Sequence, residues 1–141
     1  MFSKILVAFD GSDQSKKAME YAIQLSKTYS SQLEVVHVTY YSGFILGEAL
    51  ISAPAHILLE QQDYSSLIVA EANKSIESIP GAKVTLLQGS PAKVIIDFAE
   101  ENNSELIIIG SRGLGGISEF VLGSVSHNVV QHSNIPVLVV K

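Results

Sequence analysis

Short runs of apolar, mostly β-branched residues recur along the chain, and longer segments with helical spacing separate them. Four runs are nearly continuous and a fifth, 84–87, is weaker. The runs cover residues 5–9, 33–38, 84–87, 106–109 and 135–140. Continuous rather than alternating apolar runs are typical of strands that are covered on both faces of a parallel sheet. The pattern therefore predicts five strands between layers of helices.

Between these runs, apolar residues recur every three or four positions, as they do along one face of a helix. Helices are predicted after Ser12, over residues 64–79, from Ser90 with Pro91 at the first helical position, and between Ser124 and Ser133. Residues 41–60 combine glycine and proline with apolar residues, and they are predicted to form a loop that leads into a helix as a partial lid.

The alternation of strands and helices predicts a doubly wound α/β fold, with a parallel sheet and helices on both of its faces. Right-handed crossovers place the carboxyl ends of all strands at one edge of the sheet. Residues 9–12, 38–41 and 109–113 should therefore open toward the same crevice, where such sheets bind their ligands. A length of 141 residues fits one domain, 1–141.

Composition excludes several classes of function. The chain has nine basic against fourteen acidic residues and a net charge of -5, whereas a nucleic-acid binder would show a basic stripe. The absence of cysteine excludes Cys-based zinc sites, iron–sulfur clusters, thiol catalysis and disulfides. A small ligand is the expected partner.

No membrane or targeting segment is expected. The uncharged stretch 120–140 contains too many polar residues for a bilayer core, and the apolar run 5–9 is too short for a signal sequence. We therefore expect the chain to start at Met1 and to act in the cytoplasm.

The segment 110–126 carries the richest chemistry. It holds five glycines between residues 110 and 123 and the only arginine of the chain, Arg112, and it leads to Ser124 and Ser126 at a predicted helix start. Glycines allow a close approach of the backbone, and a helix N-terminus and a guanidinium both favour an anion. The segment is therefore interpreted as a phosphate cradle. The alternative is that the glycines shape a surface loop and Ser124 caps a helix.

Two familiar phosphate motifs do not fit this segment. A Walker A loop from Gly110 requires lysine where Gly116 stands, and the dinucleotide fingerprint from Gly113 meets Ser118 at its third glycine position. Neither a P-loop nor a dinucleotide-binding site is therefore predicted.

Other polar residues suggest little chemistry. Asp10 ends a strand on the binding edge but also begins a good turn before a helix cap, so both a ligand contact and a structural role remain open. His37 is interpreted as a hydrogen-bonded core residue. His127 and His132 are five residues apart, which on a helix separates them by roughly 140° and prevents a shared metal. No catalytic residue and no protein metal site is predicted.

The spacing of Gly110, Gly113, Gly123 and Ser124 resembles the nucleotide-binding signature of the universal stress protein family. The resemblance extends to residues 4–12, 37–38, 89–91 and 135–140, and so to nearly the whole chain. It implies a five-stranded, Rossmann-like three-layer sandwich of the adenine-nucleotide alpha hydrolase type. It also implies that the chain binds ATP, with Mg²⁺ bridging the phosphates, and that it forms a homodimer through residues 135–140.

The resemblance assigns a role to each matching position. Ala8, Phe9 and Asp10 would line the adenosine end, with Val38 against the adenine ring. Gly110, Ser111, Arg112 and Gly113 would follow the ribose and first phosphates, and Gly123, Ser124, Val125 and Ser126 the remaining phosphates.

Hydrolysis is expected to be slow at most, because the loop offers one arginine, no lysine and no evident base. One alternative is a non-catalytic module of the same fold that binds protein partners with its pocket empty. An enzyme that adenylates a second substrate is a third possibility, although no residue for such a substrate is evident.

Overall fold

The computed structural model describes residues 1–40, 43–46, 49–52, 54–112 and 122–141, and it describes only the backbone of 43–46 and 49–52. The elements alternate along the chain as the apolar runs predict. In order they are β1 (Lys4–Ala8), α1 (Asp13–Tyr29), β2 (Gln32–Thr39), β3 (Gly43–Leu46), β4 (Ala49–Ser52), α2 (Ala55–Ile76), β5 (Lys83–Gln88), α3 (Pro91–Glu101), β6 (Leu106–Gly110), α4 (Ser124–His132) and β7 (Val137–Val140).

Five of the described strands form one parallel sheet in the order β5-β2-β1-β6-β7. From β1 the chain first winds outward through β2 to β5, and it then crosses back to add β6 and β7 on the other side of β1. The direction of winding therefore changes between β1 and β6, which is where open α/β sheets form their ligand crevice. The predicted doubly wound fold is confirmed.

Both faces of the sheet are covered, which explains why its strands are continuously apolar. Ile5 and Val7 of β1 point into a core that is closed by α1 and α2. Leu6, on the opposite face, packs in a second core with Ile95 of α3 and Val129 of α4. The three layers therefore follow from the central strands β1 and β6, which have no polar face to present to water.

The prediction for residues 41–60 was wrong about the loop and right about the helix that follows it. Described residues of this segment form the antiparallel strands β3 and β4, with Phe44 opposite Ile51, and α2 then begins at Ala55 after Pro54. Glycine and proline suggested a loop, but the residues between them are good strand formers. The lid part of the prediction is not decided, since residues 41, 42, 47, 48 and 53 lie outside the described ranges.

Three element ends also differ from the prediction. Helix α2 begins at Ala55 rather than at residue 64 and stops at Ile76 rather than at residue 79. Its first turns are exposed, so no stripe of buried apolar residues indicated them in the sequence. Strand β7 starts only at Val137, since Ser133 Oγ bonds the amide of Ile135 at 3.0 Å and holds a bend there. Ser90 occupies the N-cap of α3, but its side chain makes no cap hydrogen bond.

None of the helices within the described ranges combines the length and the hydropathy needed to cross a bilayer.

The edge strand β5 is joined to β2 by a buried carboxylate. Glu34 is fully buried, and its Oε1 accepts a hydrogen bond from Thr85 Oγ1 at 3.1 Å and lies 3.3 Å from Lys83 Nζ. Glu34 and Lys83 are direct partners in the register of the two strands. The second carboxylate oxygen of Glu34, Oε2, has no hydrogen-bond partner among the described residues. Lys83 is therefore the group that compensates a charge held away from water.

Lys83→Ala should lower the free energy of unfolding by about 1–3 kcal/mol, because it leaves the buried carboxylate without a counter-charge. Urea denaturation measures the change. Lys93→Ala is the matched control, since Lys93 pairs with Asp97 on the exposed surface of α3, and it should change stability little. Equal losses in the two variants would contradict the assigned role of Glu34.

Candidate functional site

A crevice of about 530 Å³ opens at the carboxyl edge of the sheet, above the point where the winding direction changes. Its walls come from the ends of β1, β2 and β6, from α2, and from the first turns of α3 and α4. The described residues that line it are Ala8, Phe9, Asp10, Ser15, Val36, His37, Val38, Thr39, Tyr40, Gln61, Tyr64, Ser65, Pro91, Ile95, Ile109, Gly110, Arg112, Gly123, Ser124, Val125 and Ser126. Its volume suits a small organic ligand.

The turn between β1 and α1 holds Asp10 at the crevice. Asp10 Oδ1 accepts a hydrogen bond from the Ser12 amide at 2.9 Å, and Gly11 between them has φ +82°, a conformation that favours glycine. Ser12 in turn caps α1, because its Oγ accepts from the Ser15 amide at 3.2 Å. Asp10 therefore shapes the turn and lines the crevice at the same time.

The start of α4 lines the crevice with backbone donors that have no partner among the described residues. The N-cap residue Gly123 has no side chain to satisfy them, and the first intrahelical bond runs from the His127 amide to the Gly123 carbonyl at 2.9 Å. The amides of Ser124, Val125 and Ser126 therefore have no partner within the helix. Together with the positive end of the helix dipole, they form an environment for an anion.

The Ser111 carbonyl ties the start of α4 to the end of β6. It accepts hydrogen bonds from the Gly123 amide at 2.7 Å and from Ser126 Oγ at 2.8 Å. The Ser111 amide donates to the Val140 carbonyl at 2.7 Å, so the main chain of this residue is fully engaged. Ser126 is therefore a clamp across the cradle as well as part of its lining.

The charges of the crevice are few. Arg112 is half-buried, and its guanidinium forms no ion pair with any carboxylate of the described chain. Asp10 is the one acidic side chain in the described lining. The backbone of Arg112 lies beside the start of α4, since its Cα atom is 3.4 Å from where a Cβ on Gly123 would stand, and a guanidinium in this lining favours an anion.

Gly110 and Gly123 of the predicted cradle differ in what a Cβ atom at each position would contact. A Cβ atom on Gly110 would lie 2.8 Å from Gln14 Cβ, so this glycine is required for the close packing of α1 on β6. A Cβ on Gly123 would find only ordinary contacts, with the Arg112 Cα atom at 3.4 Å. The packing of the described residues therefore requires glycine at 110 but accommodates a Cβ atom at 123.

Comparison with known proteins places this architecture in a family. The sequence matches the universal stress protein family over residues 1–141. It is 35% identical over 148 residues to universal stress protein YxiE of Bacillus subtilis, and the match covers 100% of both chains. The chain belongs to the universal stress protein family.

Solved structures of the family share the fold. Universal stress protein UspA from Lactobacillus plantarum superposes with a TM-score of 0.77 at 21% identity, over 99% of this chain and 98% of that one. A universal stress protein solved in complex with cAMP has a TM-score of 0.70 at 25% identity, over 99% of this chain and 97% of that one. The fold is thus the Rossmann-like sandwich that the resemblance implied.

Most residues that the family signature assigns to nucleotide lie together in the crevice. Ten of the twelve belong to its lining, namely Ala8, Phe9, Asp10, Val38, Gly110, Arg112, Gly123, Ser124, Val125 and Ser126. Ser111 is buried behind the lining, where it bonds the protein. Gly113 lies outside the described residues.

Two histidines lie within hydrogen-bond distance of backbone carbonyls. His37 is 5% exposed, and its Nδ1 lies 2.9 Å from the Phe9 carbonyl oxygen, so it is a hydrogen-bonded core residue. His132 binds the Asn128 carbonyl near the end of α4. Across the described ranges, no group of three or more His, Asp or Glu side chains is placed to hold a metal ion.

Sequence reasoning missed the wall that α2 contributes. One stripe of this helix runs through Gln61, Ser65, Ile68, Ala72 and Ile76, and the last three lie in the core. Its first two positions, which are polar, line the crevice instead. A helix stripe that changes from apolar to polar toward one end was the signal in the sequence that could have identified this wall.

Proposed function

We propose that this universal stress protein binds ATP with Mg²⁺ in the crevice and acts in the cytoplasm as a homodimer that couples adenine nucleotide to a stress response. In this proposal, residues 1–141 form a single domain. The observation that carries it is that Arg112, which forms no ion pair among the described residues, lines the crevice together with the start of α4, whose first amides have no partner within the helix.

The two ends of the crevice suit the two ends of a nucleotide. Arg112 and the start of α4 lie beside β6, where they would bind phosphates. Val38 lies at the other end, on β2, and offers an apolar contact for a base. The structural relative in complex with cAMP supports an adenine nucleotide as the ligand.

The residues present fit ATP better than they fit a protein-held metal. Mg²⁺ would be held by the phosphate oxygens of ATP and would neutralise their charge. Asp10 is the one carboxylate in the described lining, and no group of three or more acidic or histidine side chains among the described residues is placed to hold a metal ion. Asp10 Oδ1 accepts a hydrogen bond from the Ser12 amide, which fits a role in shaping the turn. The proposal therefore remains one of binding, with slow hydrolysis at most.

Dimerisation is proposed through the outer edge of β7. This strand pairs only with β6 in the described sheet, so its other edge is free to meet a second copy. Leu138 is 36% exposed there, and Val130 on the neighbouring α4 is 44% exposed. Val137 and Val139 pack against the second core, so Leu138 is the side chain that best probes the contact.

Gly123→Val should abolish ATP binding, because its side chain extends into the space between Arg112 and α4. Isothermal titration with ATP and Mg²⁺ measures the affinity, and Gly123→Ala should show an intermediate loss. Gly81→Ala is the control, since Gly81 has φ +74° and open space around it, far from the cradle. It should lose stability without losing ATP. Wild-type affinity in Gly123→Val would contradict the proposed phosphate position.

Arg112→Ala should weaken ATP by about 1.5–3 kcal/mol and adenosine much less, because the charged hydrogen bond to phosphate is lost. Titrations of both ligands give the difference. Lys93→Ala removes one positive charge outside the crevice and should leave both affinities unchanged. Equal weakening of ATP and adenosine would mean that Arg112 only supports the loop.

Leu138→Lys should convert the dimer to a monomer, because it places a charge in the proposed contact. Sedimentation velocity measures the change. Leu86→Lys on the opposite edge strand, where Leu86 is 54% exposed, should remain dimeric. A folded Leu138→Lys dimer would place the interface elsewhere.

A further inference from the structure

Two buried residues on the α2 side of the crevice each carry a side-chain polar atom, His37 Nε2 and Ser65 Oγ, that has no hydrogen-bond partner among the described residues. His37 of β2 is 5% exposed and Ser65 of α2 is 6% exposed, and both line the crevice. Burial of a polar group without a hydrogen bond is costly, so such groups point to a ligand that completes them.

The hydrogen bond of His37 determines what its free nitrogen can bind. The Phe9 carbonyl oxygen, 2.9 Å from Nδ1, can only accept, so Nδ1 carries a proton. In the neutral ring, Nε2 is then an acceptor. Within the described residues no group bonds Nε2, and the atom is not sealed from the crevice. His37 therefore presents an acceptor that requires a donor from the ligand.

Ser65 differs from the other serines of its helix. Ser66 Oγ donates to the Gln62 carbonyl at 2.8 Å, and Ser75 Oγ donates to the Glu71 carbonyl at 3.0 Å. Ser65 Oγ makes no such bond to its own helix and also remains open to the crevice. It can donate to a ligand or accept from it.

The position of this pair indicates which part of a ligand it meets. Strands β2 and β6 flank β1, so the His37 side of the crevice lies about 10 Å from the phosphate end at two strand spacings. A nucleotide with phosphates at α4 would therefore place its base toward His37 and Ser65.

We infer that His37 and Ser65 select adenine through its 6-amino group, an inference that rests on the proposed nucleotide function. The amino group donates to His37 Nε2, while Ser65 Oγ serves the neighbouring polar atoms of the base edge. Guanine carries a carbonyl oxygen at the same ring position. This oxygen and Nε2 are both acceptors, so no hydrogen bond can form between them. The wall thus rejects 6-oxopurines because it would leave its buried nitrogen unpaired.

Titrations of ATP and GTP test the inference in the full-length protein. Wild type should bind ATP at least about 10-fold more tightly than GTP, since a buried hydrogen-bonding group would otherwise remain unpaired. His37→Asn should remove most of this preference by weakening ATP alone, because the shorter amide can still donate to the Phe9 carbonyl but lacks Nε2. Ser65→Ala should reduce ATP affinity several-fold, whereas Ser66→Ala, its neighbour, should not.

The outcomes separate the inference from the function on which it rests. If wild type binds neither nucleotide, both fail. If it binds ATP but His37→Asn, shown to be folded by thermal unfolding, keeps the full preference over GTP, only the base assignment fails. If His37→Asn weakens ATP but has no effect on dATP, the donor is the ribose 2′-hydroxyl and the assignment to the amino group is overturned.

A spectroscopic measurement checks the contact directly. In protein labelled with ¹⁵N at histidine, the Nε2 resonance of His37, assigned by its absence in His37→Asn, should shift when ATP is added and stay in place with GTP. A purely structural role for His37 predicts no such difference between the two nucleotides.

Discussion

The burial of β1 and β6 on both faces is the constraint on which the rest of the structure depends. Ile107 and Ile108 of β6 point to opposite faces and are both fully buried. Helices must therefore cover each face, and every crossover returns the chain in the same direction. The turn after β1, the turn after β6 and the start of α4 are consequently brought to one edge of the sheet, although α4 begins more than a hundred residues after β1.

The chemistry of that edge comes mainly from the backbone. Three amides at the start of α4 lack helical partners, and the Ser111 carbonyl holds this helix end against β6 through Gly123 and Ser126. These donors are pre-organised, because the clamp sets their position before a ligand arrives. In a chain of net charge -5, a local cluster of amides beside one arginine attracts an anion without a general basic surface.

The opposite end of the crevice differs in chemistry, since no charged side chain of the described lining comes from β2 or α2. Val38 is apolar there, and His37 Nε2 and Ser65 Oγ have no hydrogen-bond partner among the described residues. Backbone amides offer donors to many anions, whereas side chains such as His37 and Ser65 offer directional groups that distinguish one ligand from another. In the proposed function, the first end would attract the ligand and the second would select it.

The sequence determined the layered fold, because strands without a polar face can only be buried between helices. It also indicated most of the phosphate end, since Gly110, Arg112, Gly123 and Ser124 are close together along the chain. Tertiary structure decided the α2 wall, because Ser65 and His37 are far apart in sequence and line the same crevice only through the packing of α2 on the sheet. Tertiary structure also decided why residue 110 is glycine. The backbone there lies so close to Gln14 of α1 that a side chain would not fit, and this close approach depends on helix packing, which no local sequence pattern contains.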